Sequence, residues 1–543
     1  MRPIRRLPVL VLFLLLGFMP RILAQDDYRV LTKQMVPMRD GKQLAADVYL
    51  PKGDGPFAIV LARSVYGRGN VGFARPFLDI GAGFIAQDCR GRGDSEDVDR
   101  VFEDDGWGER QDGADTVAWV LAQDWCNGTV GTWGGSALGI VQERLARANQ
   151  DVACQVILVA SSNFYGELSY QGGVWRKNLC ESWLTNQGNA HVIDQWKGHP
   201  TLDDYWRQFD NVPRTSEVTA PALHVGGWWD LWPQGTLANF QMRQTRGGEG
   251  ARSNQIIVMG PWSHGLTGTP RDFGALRMPE NYGFDVAALQ ARFYRHWLFG
   301  EDKGIDKEPR VHYYTLGDVD DTDAPGNAWR TADAWPPFDT VETAFYLTAK
   351  GGLLKETPDA GERSFVFDPS DPVPTKGGGN LVLPSGPFDQ REVSHRADVL
   401  KFATAPLENP IEATGAYRVT LHVSSDAADT DFTAKLVDIY PDGREILLQD
   451  SIQRVKLRNG FTKADPLAPG DVGQLTIDLA VGSIVFNAGH RIGVQISSSN
   501  YPRFEVNPNS GDDFPTEENK RKATNTVYFG GDCPSALYLP IRQ

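Results

Sequence analysis

The sequence predicts an α/β unit built on a mostly parallel sheet, followed by an all-β sandwich. Three observations carry this expectation. From residue 28 to about 160, short apolar runs alternate with segments of helical periodicity. Beyond about residue 310 the helical signals fade, and apolar residues alternate with polar ones. The chain has 543 residues, more than one hydrophobic core comfortably fills.

The chain opens with Arg2, Arg5 and Arg6, then the apolar run 7–19, then Ile22-Leu23-Ala24 ahead of Gln25 and Asp26. A basic start, a short apolar stretch and a small residue at the cut are the pattern of a cleaved signal peptide over 1–24. The run is shorter than the ~20 apolar residues of a membrane span. No membrane span is expected after cleavage, and a secreted or periplasmic location is. Runs 58–62 and 83–88 suit buried strands. Residues 112–123 place Ala114, Val117, Ala118 and Leu121 at helical spacing. A strand over 129–133, a helix over 140–148 and a strand over 154–160 follow. Residues 25–161 thus form the first part of an α/β core.

Residues 162–218 change character. Trp175, Trp183, Trp196 and Trp206 sit among polar residues without strand alternation, which reads as an inserted, mainly helical cap. Strand patterns return at 222–225 and 255–259, and 285–299 reads as the last helix of the core, whose second part spans 219–310. In 311–543, Tyr417, Val419, Leu421 and Val423 alternate with polar neighbours, as do Ile492, Val494 and Ile496. These runs predict an antiparallel β-sandwich.

Composition narrows the partners. The formal charge is −15, and loss of residues 1–24 removes four arginines and no acid, giving −19. Such a surface repels phosphate backbones and anionic lipid, so no nucleic-acid partner is expected. The five cysteines are scattered without a C-x-x-C pair, which gives no zinc pattern. No metal or other cofactor is expected.

The chemistry starts at 129–139, Thr-Val-Gly-Thr-Trp-Gly-Gly-Ser-Ala-Leu-Gly. A strand running into Gly134 and a helix starting after Ser136 place the Ser136 hydroxyl on a tight turn above a helix N-terminus. Serine needs a base to become a nucleophile. In a hydrolase core of this kind the partners follow in the order acid, then histidine, each after a later strand. Asp230 closes the strand-like 223–230, and His264 closes 260–264 directly after the next strand. His224 lies inside an apolar strand and reads as a core residue. His191 and His199 lie in the cap without that strand-end context. Arg90-Gly91-Arg92-Gly93-Asp94 lacks the Lys-Ser/Thr ending of a phosphate loop and reads as structural.

Several segments together resemble the cocaine esterase/X-Pro dipeptidyl-peptidase group of serine hydrolases, which includes the α-amino acid ester hydrolases. They are Arg63-Ser64-Val65-Tyr66-Gly67, Gln87 to Gly93, Asp124-Trp125-Cys126-Asn127-Gly128, Gly134 to Gly139, Gly226 to Asp230, Gly260 to His264, and Asp429-Thr430-Asp431-Phe432 with Ala434 to Asp438. The late second glycine of G-x-S-x-x-G is the family's own form. The resemblance implies an α/β-hydrolase core, a helical cap and a C-terminal jelly roll. It implies an oxyanion hole made by the Ala137 N–H and the Tyr66 hydroxyl. It also implies hydrolysis of an ester or amide of a small acyl group through an acyl-enzyme on Ser136, with His264 as base and Asp230 orienting it.

Two further readings stand beside this one: an Xaa-Pro dipeptidyl-peptidase, and a non-catalytic protein that holds carbohydrate on the β-sandwich. The α-amino ester hydrolases of the family carry two acids directly after the triad aspartate, where this chain has Leu231, Trp232 and Pro233. Glu167 and Glu181 are the cap acids left to meet a substrate amine; their other reading is solvated surface charge. Trp133 and the tryptophan-rich cap suggest an apolar or aromatic acyl pocket.

Overall fold

In a computed structural model, which describes residues 28–69 and 71–543, the first unit is a ten-stranded sheet. Its strands are β1 (Tyr28–Pro37), β2 (Gln43–Pro51), β3 (Phe57–Ser64), β4 (Gly83–Asp88), β5 (Cys126–Gly135), β6 (Val152–Leu158), β7 (Ala222–Trp229), β8 (Gln255–Ser263), β9 (Val311–Thr315) and β10 (Ala328–Ala332). Their spatial order is β1-β2-β4-β3-β5-β6-β7-β8-β9-β10. From β4 to β9 all neighbours are parallel. The edges close with antiparallel pairs. The parallel strands are buried over nearly their whole length, which is why they read as continuous apolar runs.

Helices cover both faces. α1 (Val71–Leu78) and α8 (Val286–Phe299) share one core with the sheet through Phe77, Leu289 and Phe293. α2 (Asp112–Leu121) and α3 (Ala137–Leu145) share another through Val117, Val120 and Leu145. α3 can lie close on β5 because Gly134 and Gly139 carry no Cβ. An added Cβ would come within 2.3 Å of the Leu138 carbonyl at Gly134 and 2.9 Å of Ala160 at Gly139.

The cap region holds a π-helical turn (Phe164–Ser169), α4 (Lys177–Asn186), α5 (His191–Lys197) and α6 (Asp204–Arg207). It also holds a small hairpin of Tyr170–Gln171 with Val174–Trp175 that the sequence pattern did not predict. Trp175, Trp196 and Trp206 are buried in its core. β7 returns the chain from the cap to the sheet, and α7 (Pro233–Arg246) joins β7 to β8.

The first sheet runs further than the expected boundary at residue 310. β9 and β10 both belong to it, because β9 pairs in parallel with β8. The sandwich that follows has a seven-stranded and a four-stranded antiparallel sheet. Its longest strand, Ile411–Ser425, presents the buried Tyr417, Val419, Leu421 and Val423 that alternate in the sequence. The two units share apolar packing, with Trp228 and Trp229 in the same buried cluster as Phe432 and Ile492. The Trp229 indole donates to the Leu447 carbonyl at 3.2 Å, and Gln449 donates to the Trp228 carbonyl at 2.8 Å. The sandwich is therefore bonded to the end of β7, one residue before Asp230.

The expected signal segment 1–24 lies outside the described residues. Among the described residues no helix is long and apolar enough to cross a membrane. Among them also, no cysteine is paired: Cys89, Cys126, Cys154 and Cys180 are buried thiols and Cys533 is half-buried.

Candidate active site

β5 ends at Gly135, and Ser136 turns the chain into α3 at φ 57° and ψ −126°. A non-glycine residue held in this region stores strain, which persists where the surroundings fix it. Here the Ser136 N–H donates to the Leu158 carbonyl at 2.9 Å, and its own carbonyl accepts from Ile140 at 2.9 Å. The hydroxyl is thus held at the carboxyl end of the sheet. Ala137 begins α3, so its N–H has no acceptor within the helix.

Asp230 and His264 lie directly after β7 and β8, as the sequence pattern places them. The ring brings all three together. His264 Nε2 is 2.8 Å from Ser136 Oγ, and His264 Nδ1 is 2.5 Å from Asp230 Oδ1. The second Asp230 oxygen accepts from the Trp232 backbone N–H at 3.0 Å. Asp230 is buried, so its charge is held by these donors rather than by water. The Trp232 ring packs edge-on against the imidazole, with centroids 5.7 Å apart. A carboxylate on one ring nitrogen and a hydroxyl on the other fix the imidazole to accept the serine proton.

Tyr66 follows β3, and its hydroxyl meets the Ser136 side chain and accepts from the Trp183 indole N–H at 3.0 Å. Burial pushes the phenol up, so Tyr66 stays protonated and remains a donor at neutral pH. Arg90 pairs with Asp40, Asp97 and Asp112, which fits the structural reading of 90–94. His224 is buried in β7 with Nε2 3.0 Å from the Gln255 side-chain oxygen. Among the described residues no group of three or more His, Cys, Asp or Glu side chains is placed to hold a metal ion.

The space beside Ser136 is unequal. On the cap side, Trp183, Trp196, Trp232, Leu168 and Leu381 leave only about 20 Å³ open. That is room for one or two water-sized groups. Leu381 comes from the sandwich, a contribution no local sequence signal announces. Next to it, a Cβ at Gly379 would lie 2.2 Å from the Asp230 carbonyl oxygen. On the α1 side, Tyr66, Phe73, Phe84, Trp133 and Leu138 line a cavity of about 200 Å³. Trp133 therefore faces this larger cavity and not the cap.

The cap acids differ from the surface reading. Glu167 is buried; its carboxylate accepts from the Ser161 hydroxyl at 2.9 Å and the Ser162 N–H at 3.0 Å. Burial pushes its carboxyl up to about 7 against those hydrogen bonds. Gly235 makes room for it, since a Cβ there would sit 2.1 Å from the carboxylate. Glu181 is paired with Lys177 and Lys197 and accepts from the Trp175 indole. Neither acid is among the residues lining the cap-side space at Ser136, and none of those residues is acidic.

Comparisons with known proteins agree with this architecture. Residues 40–192 and 179–266 match the X-Pro dipeptidyl-peptidase family, and residues 303–538 match the X-Pro dipeptidyl-peptidase C-terminal non-catalytic domain. Cocaine esterase of Rhodococcus sp. (strain MB1 Bresler) is 33% identical over 96% of this chain and 100% of its own length. An aminopeptidase from the marine sediment archaeon Thaumarchaeota archaeon superposes with a TM-score of 0.82 at 25% identity, over 96% of this chain and 98% of that one. An α-amino acid ester hydrolase shares the fold at a TM-score of 0.79 and 24% identity, over 97% of this chain and 100% of that one. With a serine, a histidine and an aspartate meeting at three strand ends beneath a cap, and with relatives matched along nearly its whole length, the chain belongs to the cocaine esterase/X-Pro dipeptidyl-peptidase family of serine hydrolases.

Proposed function

We propose that this serine hydrolase cleaves esters or amides of small acyl groups through an acyl-enzyme on Ser136. The observation that carries the reading is the hydrogen-bonded line from Ser136 Oγ through His264 to Asp230. Ser136 Oγ attacks the carbonyl carbon as its proton passes to His264 Nε2. The Ala137 N–H and the Tyr66 hydroxyl hold the oxygen that gains charge. The tetrahedral centre collapses, and the leaving alcohol or amine takes the proton from His264. A water then gives its proton to His264, attacks the acyl carbon, and releases the acid as Ser136 recovers its proton. Asp230 orients the imidazole and offsets its positive charge.

The narrow cap-side space supports a short acyl group. The larger α1-side cavity supports an apolar leaving group. An Xaa-Pro dipeptidyl-peptidase must anchor a free N-terminal ammonium, and the acid-free cap-side lining disfavours that reading. The test is a fluorophosphonate label mapped by peptide sequencing, with initial-burst kinetics on p-nitrophenyl acetate and p-nitrophenyl benzoate. Labelling at Ser136, a burst, and a preference for acetate are expected. Labelling elsewhere, or an unlabelled active enzyme, defeats the assignment. We further propose export with cleavage after Ala24, motivated by the basic and apolar segment at 1–24. The amino-terminal sequence of the protein recovered outside the cytoplasm tests it, and a retained Met1 refutes it.

A further inference from the structure

We infer that Trp183, on cap helix α4, is a positioning residue that aims the Tyr66 hydroxyl at the developing oxyanion. The inference rests on the acyl-enzyme reading above. A phenol carries one proton and can also accept hydrogen bonds, whereas an indole N–H only donates. The 3.0 Å contact between Trp183 Nε1 and Tyr66 Oη therefore has a single polarity: Tyr66 accepts. One acceptor site is filled on the cap side, and the hydroxyl proton is directed away from Trp183. The same hydroxyl meets the Ser136 side chain, so the direction left to the proton is toward the reacting atoms. Accepting a hydrogen bond also makes an O–H a stronger donor.

The surroundings hold both partners of this contact. The Trp183 ring stacks on Phe102 with centroids 5.7 Å apart and planes 2° from parallel, and Phe102 in turn packs edge-on against Phe164. Arg92 ties the cap to the tyrosine's own loop. Its guanidinium donates to the Val65 carbonyl at 2.7 Å and to the Gln187 carbonyl at 2.6 Å, just beyond the end of α4. One side chain thus fixes the spacing between α4 and residue 65, and the indole fixes the rotation of the hydroxyl next to it. Arg92 is the part of the 90–94 loop that faces this site, while Arg90 is engaged in ion pairs.

Trp183 also lines the cap-side space, so a loss of activity on substitution has two possible sources, and the test separates them. In full-length protein, Trp183→Phe keeps most of the stacked ring and removes the N–H. We expect kcat on p-nitrophenyl acetate to fall about tenfold with KM nearly unchanged, since a poorly aimed donor costs less than a missing one. Affinity for an alkylboronic acid, which mimics the tetrahedral state, should fall in proportion to kcat. Tyr66→Phe should lower kcat by roughly 10²–10³. The double variant should be no slower than Tyr66→Phe alone, because Trp183 acts through that hydroxyl.

Losses that multiply in the double variant would mean Trp183 serves the pocket and not the tyrosine, and would overturn the inference. A Trp183→Phe effect confined to KM would do the same. Wild-type kcat in Tyr66→Phe would also overturn it. In that event fluorophosphonate labelling of Ser136 in the same variant shows whether the acyl-enzyme reading itself survives.

Discussion

Glu167→Gln isolates the cost of a carboxyl buried against Ser161 and Ser162. Glu167 is held at about 7 against an ordinary value of 4.5, with burial as the dominant cause. The native protein therefore keeps this proton over a range where the unfolded chain has lost it. Stability falls as pH rises from about 4.5 to about 7, and the full cost is present above 7. A gap of that size corresponds to about 3 kcal/mol as an upper bound. Glutamine preserves the acceptor for the Ser161 hydroxyl and the Ser162 N–H and carries no charge. The variant should match the wild type at pH 5 and exceed it at pH 8 by up to that amount, a gain of several degrees in Tm. Paired melting curves at the two pH values read the difference, in which other titrating groups cancel. Asp104 is also pushed up to about 7, so the infrared readout is the wild-type minus variant difference spectrum at pH 6, which should retain a protonated carboxylic acid band. A Tm difference that does not change with pH, together with no such band, would refute the account of Glu167 as a buried, largely protonated acid.

Other outcomes follow from the site. Ser136→Ala should fold normally and lose about 10⁶ in kcat, and adding Asp230→Asn or His264→Ala should cost little more, because the three act as one unit; multiplicative losses would contradict this. Matched esters with and without an α-amino group should differ by less than about tenfold in kcat/KM, because the cap-side lining offers no acid; an amine preference above about a hundredfold, ~2.7 kcal/mol, would sink this prediction. Gly379→Ala should destabilise the protein by about 1–3 kcal/mol through overpacking and lower kcat by shifting Asp230, whose carbonyl oxygen lies 2.2 Å from the added carbon; unchanged Tm and kcat would show that the sandwich loop yields freely.

The sheet and the placement of Ser136, Asp230 and His264 at its strand ends were legible because each rests on a local signal. Buried parallel strands make apolar runs, and Gly134 with Gly139 marks the sharp turn at Ser136. Asp230 and His264 needed only chain order and strand ends. The less legible parts depend on partners distant in sequence. The boundary at 310 rested on where helical signals fade, which does not tell which sheet the next strand joins, and β9 (Val311–Thr315) pairs with β8 in the first sheet. Glu167 looked like surface charge because its burial is set by Gly235 and the turn at 161–163. Leu381 sits in a Pro/Gly-rich loop more than two hundred residues after Ser136, and nothing local marks it as a wall of the pocket. The tryptophan-rich cap was recognisable, but not that its side chains nearly fill the space they enclose.

The reach of the sandwich loop over Asp230 has a consequence for how the enzyme is made. Strand Ala536–Arg542 lies inside its sheet, pairing with both Thr340–Leu347 and Ile411–Ser425, although it is the last of the described strands in the chain. That sheet cannot close until these residues have left the ribosome. Translation runs at ~5–20 residues per second, so on the order of tens of seconds separate the synthesis of His264 from that of this strand. Throughout that interval the nascent polypeptide carries Ser136, Asp230 and His264 without the finished sandwich that holds Gly379 and Leu381 in place. Assembly of the pocket is thereby deferred until Ala536–Arg542 has been made, and that strand sets when the pocket becomes complete.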